Sequence, residues 1–220
     1  QRQMCIRDSI QVVDGKVRFY LREAENSVRK AMGAGERAWS KSLVSVNGKS
    51  YAVESDESGR YYVEANASSS GTYNAILTNS SSSGWYGSSA YADVKLPYSQ
   101  FWTATAASLQ SYPMYGSYTK ENGNKLVFDD AFAVLDVSLT GSARIASVKV
   151  ENLAESPVAG FANFLPSRGY LSVTDGVGFA VLNCTDNGKC VPLSSGTPKH
   201  FYVMLAPGDY PSVSYTHLRA

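Results

Sequence analysis

The sequence predicts an all-β protein, an antiparallel β-sandwich with irregular loops and at most short helices. Three observations carry that. Apolar residues recur at every second position in many short runs. Glycine, asparagine and serine turns separate those runs. Neither sustained helical periodicity nor βαβ alternation is present. The clearest stretch is Phe132 to Val150. In its first half Ala133, Leu135, Val137 and Leu139 alternate with Asp136, Ser138 and Thr140. In its second half Ala146, Val148 and Val150 alternate with Ser147, Lys149 and Glu151. With Gly141-Ser142 between them, the two runs read as a half-buried antiparallel hairpin. A one-residue slip would turn every apolar side chain to water, so the register is well specified.

The elements follow in order. Val12–Leu21 reads as one strand, and Arg22–Ala38 as a loop or short helix ending at Trp39. Leu43–Val46, the Asn47-Gly48 turn and Ser50–Val53 form a hairpin of type I′. A turn at Asp56–Gly59 leads to Arg60–Ala65, the third strand of the same meander, and Thr72–Thr78 is the next strand. A serine-rich loop then opens onto Trp85 and Tyr86. Val94–Trp102 is extended and broken by Pro97, Thr103–Gln110 has room for a helical turn, and Ser111–Thr119 is extended and aromatic. Lys125–Phe128 precedes the central hairpin. Ser156–Gly160, Tyr170–Val173, Gly178–Asn183, Cys190–Leu193 and His200–Leu205 complete the set. A sub-boundary falls near residues 122–124, at Asn122-Gly123. No long linker separates the halves, so one continuous unit is expected over residues 10–211.

The two ends are expected to lie outside that unit. Residues 1–9, QRQMCIRDS, and 212–220, SVSYTHLRA, break the flanking patterns. Both resemble translated sequencing-adapter DNA and are set aside for fold reasoning. Cys5 and His217 go with them. The chain is then expected to be a fragment whose natural start and end both lie beyond it.

Composition narrows the function classes. The formal net charge is +1, with no basic stripe, so no nucleic-acid partner is expected. No apolar run approaches the roughly 20 residues that span a bilayer. Abundant Tyr, Ser and Gly beside sparse charge lean toward an extracellular β-protein. Cys184 and Cys190 flank an Asn187-Gly188 turn that would bring them near each other, so they are the candidate disulfide; the other reading is two free thiols. No metal or cofactor site is expected, because the only credible histidine, His200, has no zinc-site spacing.

An ordered set of short motifs resembles the fimbrillin family of bacterial surface pilus subunits. The set runs from Phe19, Ser27-Val28-Arg29 and Trp39 through Val44–Asn47, Tyr51 and Tyr73-Asn74-Ala75. It continues with Leu96-Pro97-Tyr98-Ser99-Gln100, Tyr112-Pro113-Met114-Tyr115 and Leu126-Val127-Phe128. It closes with Ala133–Gly141, Ile145–Val150, Ala159-Gly160 and Phe201–Gly208. The specificity lies in the order, which covers nearly all of residues 12–211. The resemblance implies a transthyretin-like, Greek-key sandwich displayed at the outer membrane or in a fimbrium as a lipoprotein. Its partners would be other pilus subunits, joined by strand addition at a sheet edge, in support of adhesion. Members that form pili lose an N-terminal strand to an arginine-specific protease. Arg29 and Arg37 lie in the corresponding region, but neither sits in a matching motif. The resemblance also implies a lipid-bearing cysteine and a C-terminal domain, both of which would lie outside this fragment.

Catalytic chemistry is not expected. A Ser-His-Asp arrangement would need His200, which reads as an exposed strand residue. Asp129, Asp130 and Asp175 read as turn residues rather than an acid pair. Gly176-x-Gly178 and Gly33-x-Gly35 read as turns, not phosphate cradles. The candidate ligand surface is aromatic: Trp85, Tyr86, Tyr91 and Trp102, with Tyr98 beside them. Such rings can stack on sugars, but packing over an open end of the core is the stronger reading. The alternative function is therefore a non-polymerising module that binds host glycan or protein.

Overall fold

Alternating apolar side chains bury one face of most strands, and four sheets follow from that in the computed structural model. It describes residues 10–33, 39–79, 93–104, 113–154, 156–165, 170–186, 188–210 and 213–219. The chain is all-β, in antiparallel-rich sheets forming a sandwich. The first sheet runs Lys49–Ala52 (β4), Ser42–Val46 (β3), Asn74–Asn79 (β7), Met114–Ser117 (β10), Lys125–Asp130 (β11), Lys16–Glu23 (β2), Tyr61–Asn66 (β6), Glu54–Ser55 (β5). Only β11 and β2 pair in parallel within it. Val53 alone joins the end strands β4 and β5, so the sheet curls until its ends meet. The Tyr51 hydroxyl of β4 accepts the Asn66 N–H of β6 at 3.0 Å across that seam. The curl encloses Val17, Phe19, Val44, Val63, Leu77, Met114, Leu126 and Phe128, each fully buried. Gly116 on β10 allows the fit, because a Cβ there would meet the Val127 carbonyl at 2.9 Å.

Two expectations for this half change. Val12–Leu21 is not one strand. Asp14 and Gly15, with φ of 50° and 72°, fold Val12–Val13 (β1) back onto β2. The third strand of the meander, β6, pairs with β2 and β5 rather than β4. Curling the sheet places β4 and β5 at opposite ends, so the chain crosses the seam instead of meandering. The Asn47-Gly48 turn is as expected, with φ of 46° and 81°. Val28–Ala31 (α1) is the short helix, its Ser27 cap accepting the Lys30 N–H at 3.4 Å. In the stretch expected to be helical, residues 105–110 lie outside the described residues.

The second half holds the central correction. Ala133–Leu139 (β12) and Arg144–Asn152 (β13) do not form a hairpin. β12 pairs with Lys199–Leu205 (β19), from Ala133↔Leu205 to Leu139↔Lys199. β13 lies in another sheet. Phe179–Asn183 (β16) and Lys189–Pro192 (β18) pair with β13, Thr185–Asp186 (β17) pairs with β18, and Ser99–Phe101 (β9) joins β16 in parallel. The reason is packing. Val137, Phe201 and Val203 from one layer meet Ile145, Val148, Val150 and Leu182 from the other in one core. The residues between β12 and β13 are four, about 13 Å of extended chain, enough to cross layers roughly 10 Å apart. Gly141, at φ 141°, donates to the Ser194 carbonyl at 3.0 Å and starts the crossing.

The fourth sheet is Tyr170–Val177 (β15), Ala159–Leu165 (β14) and Asp93–Leu96 (β8). It covers the other face of the β12–β19 ladder. Leu96, Ala162 and Leu171 pack there with Phe132, Met204 and Ile76 of β7. This last cluster joins the halves, while the buried members of the other two fall within residues 17–128 and 137–205. Gly176, read from sequence as a turn, instead sits in β15 opposite Gly160. A methyl on Gly160 would lie 2.3 Å from the Asp175 carbonyl oxygen and Gly176 Cα, at a φ of 138°. Both obstacles are backbone and cannot rotate away. Gly160→Ala is therefore expected to lower unfolding stability by about 2 kcal/mol or more, measured by urea titration.

Candidate functional site: the sheet edges

Backbone pairing satisfies two edges of every inner strand and leaves outer edges open. Ile145 pairs with Val191 of β18 and also with Arg219 of Val213–Arg219 (β20). Residues 147–151 pair with β16 and β20 together. So β16 and β18 share one edge of β13, and β20 occupies the other. That edge accepts an antiparallel strand from Ile145↔Arg219 to Asn152↔Val213, with one irregularity between Ile145 and Ser147. The segment set aside from sequence as foreign to the fold is thus the segment that pairs here.

The β12–β19 ladder has one closed edge. The buried Gln100 side chain of β9 closes it. Its Oε1 accepts the Met204 N–H at 2.9 Å, and its Nε2 donates to the Met204 carbonyl at 2.8 Å. One amide thus pairs with both groups of a strand residue, as a neighbouring strand would. Trp102 Nε1 donates to the His200 carbonyl at 3.2 Å and extends the closure. Among the described residues no strand pairs with the opposite edge, on β12. Sequence reasoning missed Gln100, because its partner lies 104 positions away and no local pattern announces it.

The aromatic candidates divide. Trp85, Tyr86 and Tyr91 lie outside the described residues. Trp102 is half-buried, packs on the second core and tilts over Phe201 at 6.3 Å between ring centroids. Tyr98 is exposed and meets Phe179 edge-on at 6.1 Å. Phe101, not singled out from sequence, is the more open ring, 69% exposed.

Cys184 and Cys190 are free thiols here. Asn187 of their turn lies outside the described residues. Cys190 opposes Thr185, and the Val191 N–H bonds the Cys184 carbonyl at 3.1 Å. Neighbours in a strand face opposite ways, so Cys184 points into the core and Cys190 outward. Burial pushes the Cys184 thiol up to about 12.

His200 has a partner that its sequence position did not reveal. Its Nδ1 lies 3.0 Å and 2.9 Å from the two Asp136 carboxylate oxygens, and its ring stacks on Tyr202. The contact is diagonal, since Asp136 opposes Tyr202 and Ser138 opposes His200. Both partners are partly open to solvent, so the pair adds little stability. Asp129 and Asp130 end β11, and Asp175 lies within β15, none of them in a turn. A groove of ≈ 770 Å³ beside β1 and β2 is lined by Val13, Lys16, Arg18, Tyr20 and Glu64. Arg18 is already held there by Glu64 at 2.6 Å and by the Tyr62 ring at 4.1 Å. Among the described residues no three His, Cys, Asp or Glu side chains are grouped to hold a metal, and no helix is long and apolar enough to cross a membrane.

No family model matches the chain. No curated protein matches it either. The fimbrillin resemblance rests on the residues quoted for it.

Two outcomes follow from this geometry. Gln100→Leu leaves the Met204 N–H and carbonyl buried without partners. It is expected to cost about 2–4 kcal/mol of unfolding free energy in urea titration. Under native alkylation by iodoacetamide with peptide mapping, Cys190 is expected to react. Cys184 is expected to react only after unfolding.

Proposed function

We propose that this chain is a structural subunit, or an accessory surface lipoprotein, of fimbrillin-type pili, joined to its neighbours by strand addition. One observation carries the reading: the outer edge of β13 takes a strand along nearly its whole length. Pairing of that kind draws its affinity from backbone hydrogen bonds, and its fit from alternate side chains. The ordered fimbrillin-like motifs supply the second support. Two of the pieces, Ala133–Gly141 and Ile145–Val150, overlap β12 and β13, which border these edges. Outer-membrane or fimbrial location, a lipid anchor and a role in adhesion belong to the same proposal.

The second reading is a monomeric module that binds host glycan or protein. The exposed rings of Tyr98 and Phe101 favour it, since aromatic faces beside polar groups stack on sugars.

Chain length at the C-terminus separates the two readings. Removing residues 213–220 should uncover the β13 edge. Oligomer ladders are then expected in cross-linking and sedimentation, and a synthetic VSYTHLR peptide should suppress them. A truncated chain that keeps its circular dichroism and stays monomeric at every concentration would count against strand-mediated assembly.

A further inference from the structure

The outward face of the first sheet carries an order that strand addition does not use. β2 and β6 lie side by side there, with Arg18 opposite Glu64 and Tyr20 opposite Tyr62. Arg18 donates from Nε and Nη2 to Glu64 Oε1, at 3.1 Å and 2.6 Å, and its guanidinium lies 4.1 Å from the centre of the Tyr62 ring. Tyr62 meets Tyr20 edge-on at 6.1 Å. Arg60 lies 4.4 Å from the centre of the Tyr20 ring and donates to Asp56 Oδ2 at 2.9 Å. These side chains form one interlocked row from Asp56 to Glu64. Exposed contacts of this kind add little stability singly. Together they hold the rotamers, which lowers the entropy cost of binding anything against them.

The groove of ≈ 770 Å³ opens over one end of that row. Lys16, Arg18 and Tyr20 of β2 and Glu64 of β6 line it, and the β1 segment and Gly123-Asn124 complete the lining. Its volume falls within the roughly 300–1,000 Å³ of small-molecule sites.

We propose that this groove binds a neutral oligosaccharide. The charges select the ligand class. Lys16 and Arg18 balance Asp14 and Glu64 in the lining, so neither an anion nor a cation is favoured. Polar groups outside the row remain uncommitted. Among the described residues no hydrogen bond holds the side chains of Gln11, Asp14, Lys16 or Asn124, and Glu64 uses only Oε1. These groups are a mixture of donors and acceptors, and a sugar hydroxyl both donates and accepts. The Tyr20 ring and Val13 supply apolar contact for the C–H face of a sugar. A peptide is the poorer fit. Among the described lining residues only Ile10 and Val13 are aliphatic, which leaves no pocket for apolar anchors. The site is independent of the strand-addition reading, since β13 belongs to another sheet, as does Phe101 on β9.

The test is a nuclear magnetic resonance titration of the isotopically labelled full chain. The neutral probes are maltotriose, cellotriose, mannotriose and chitotriose, with sialyllactose as the acidic arm and trialanine as the peptide arm. At least one neutral trisaccharide is expected to shift the Lys16, Tyr20, Glu64 and Asn124 amides, saturating below about 10 mM. A variant carrying both Gln11→Ala and Asn124→Ala should bind that sugar at least about tenfold more weakly, with the rest of its spectrum unchanged. Phe101→Ala should bind it as the unaltered chain does. No shift with any neutral sugar at about 10 mM would overturn the proposal. So would shifts caused only by sialyllactose or only by trialanine, or shifts centred on Tyr98 and Phe101. None of these results bears on whether chains assemble through β20, so the two accounts fail separately.

Discussion

Val137 and Val148 lie on strands close in sequence yet approach one core from opposite layers. The second half of the molecule depends on that contact. If β12 and β13 were hydrogen-bonded neighbours, their apolar faces would lie side by side in one sheet. Each would then need a separate cover. Placed in opposed layers, they cover each other, and Phe201, Val203 and Leu182 close the core between them. Side-chain burial at about 25 cal/mol per Å² favours that arrangement over a hairpin whose faces stay half wet.

The arch also determines where the edges fall. Because β12 is not bonded to β13, each strand has to find its partners elsewhere. β13 finds β16 and β18 on one side and takes β20 on the other. β12 finds β19, and the far side of β19 is sealed by one glutamine and one tryptophan. A side-chain amide is an economical seal: its carbonyl oxygen and one N–H match the groups of a peptide unit, and the Gln100 Nε2 also donates to the Pro97 carbonyl at 3.1 Å. The edges left to strand addition are thus set by core packing first and by hydrogen bonding second.

Much of this was legible in the sequence, and the rest was hidden for physical reasons. Period-two alternation put Val137, Val148 and Val150 correctly inside, because it reports which way a side chain points; it put Ala146 there too and passed over buried Ile145, since the strand is irregular between Ile145 and Ser147. It does not report which backbone lies alongside, so the hairpin was expected where an arch is found. Asn47-Gly48 gave its turn directly. Asp14-Gly15 carries the same signal, but the apolar run around it masked a hairpin only two residues deep. Gln100 was visible only as part of a motif, since what it closes lies at Met204. The cysteine turn was read correctly as a turn. The offset of one position, which puts the thiols on opposite faces, is a matter of register that spacing alone does not resolve. Trp102 illustrates the same limit: its ring covers core, and its N–H seals an edge.

The layer assignment of β12 and β13 can be read most directly from cross-strand Hα–Hα contacts in nuclear Overhauser spectra of the isotopically labelled chain. The arch predicts contacts that follow the β12–β19 register, with none joining Val137 to Ala146. A ladder of contacts between residues 133–139 and 144–150 would contradict it. Such a ladder would restore the simple hairpin, and with it remove the physical basis for the open edges on which the functional account stands.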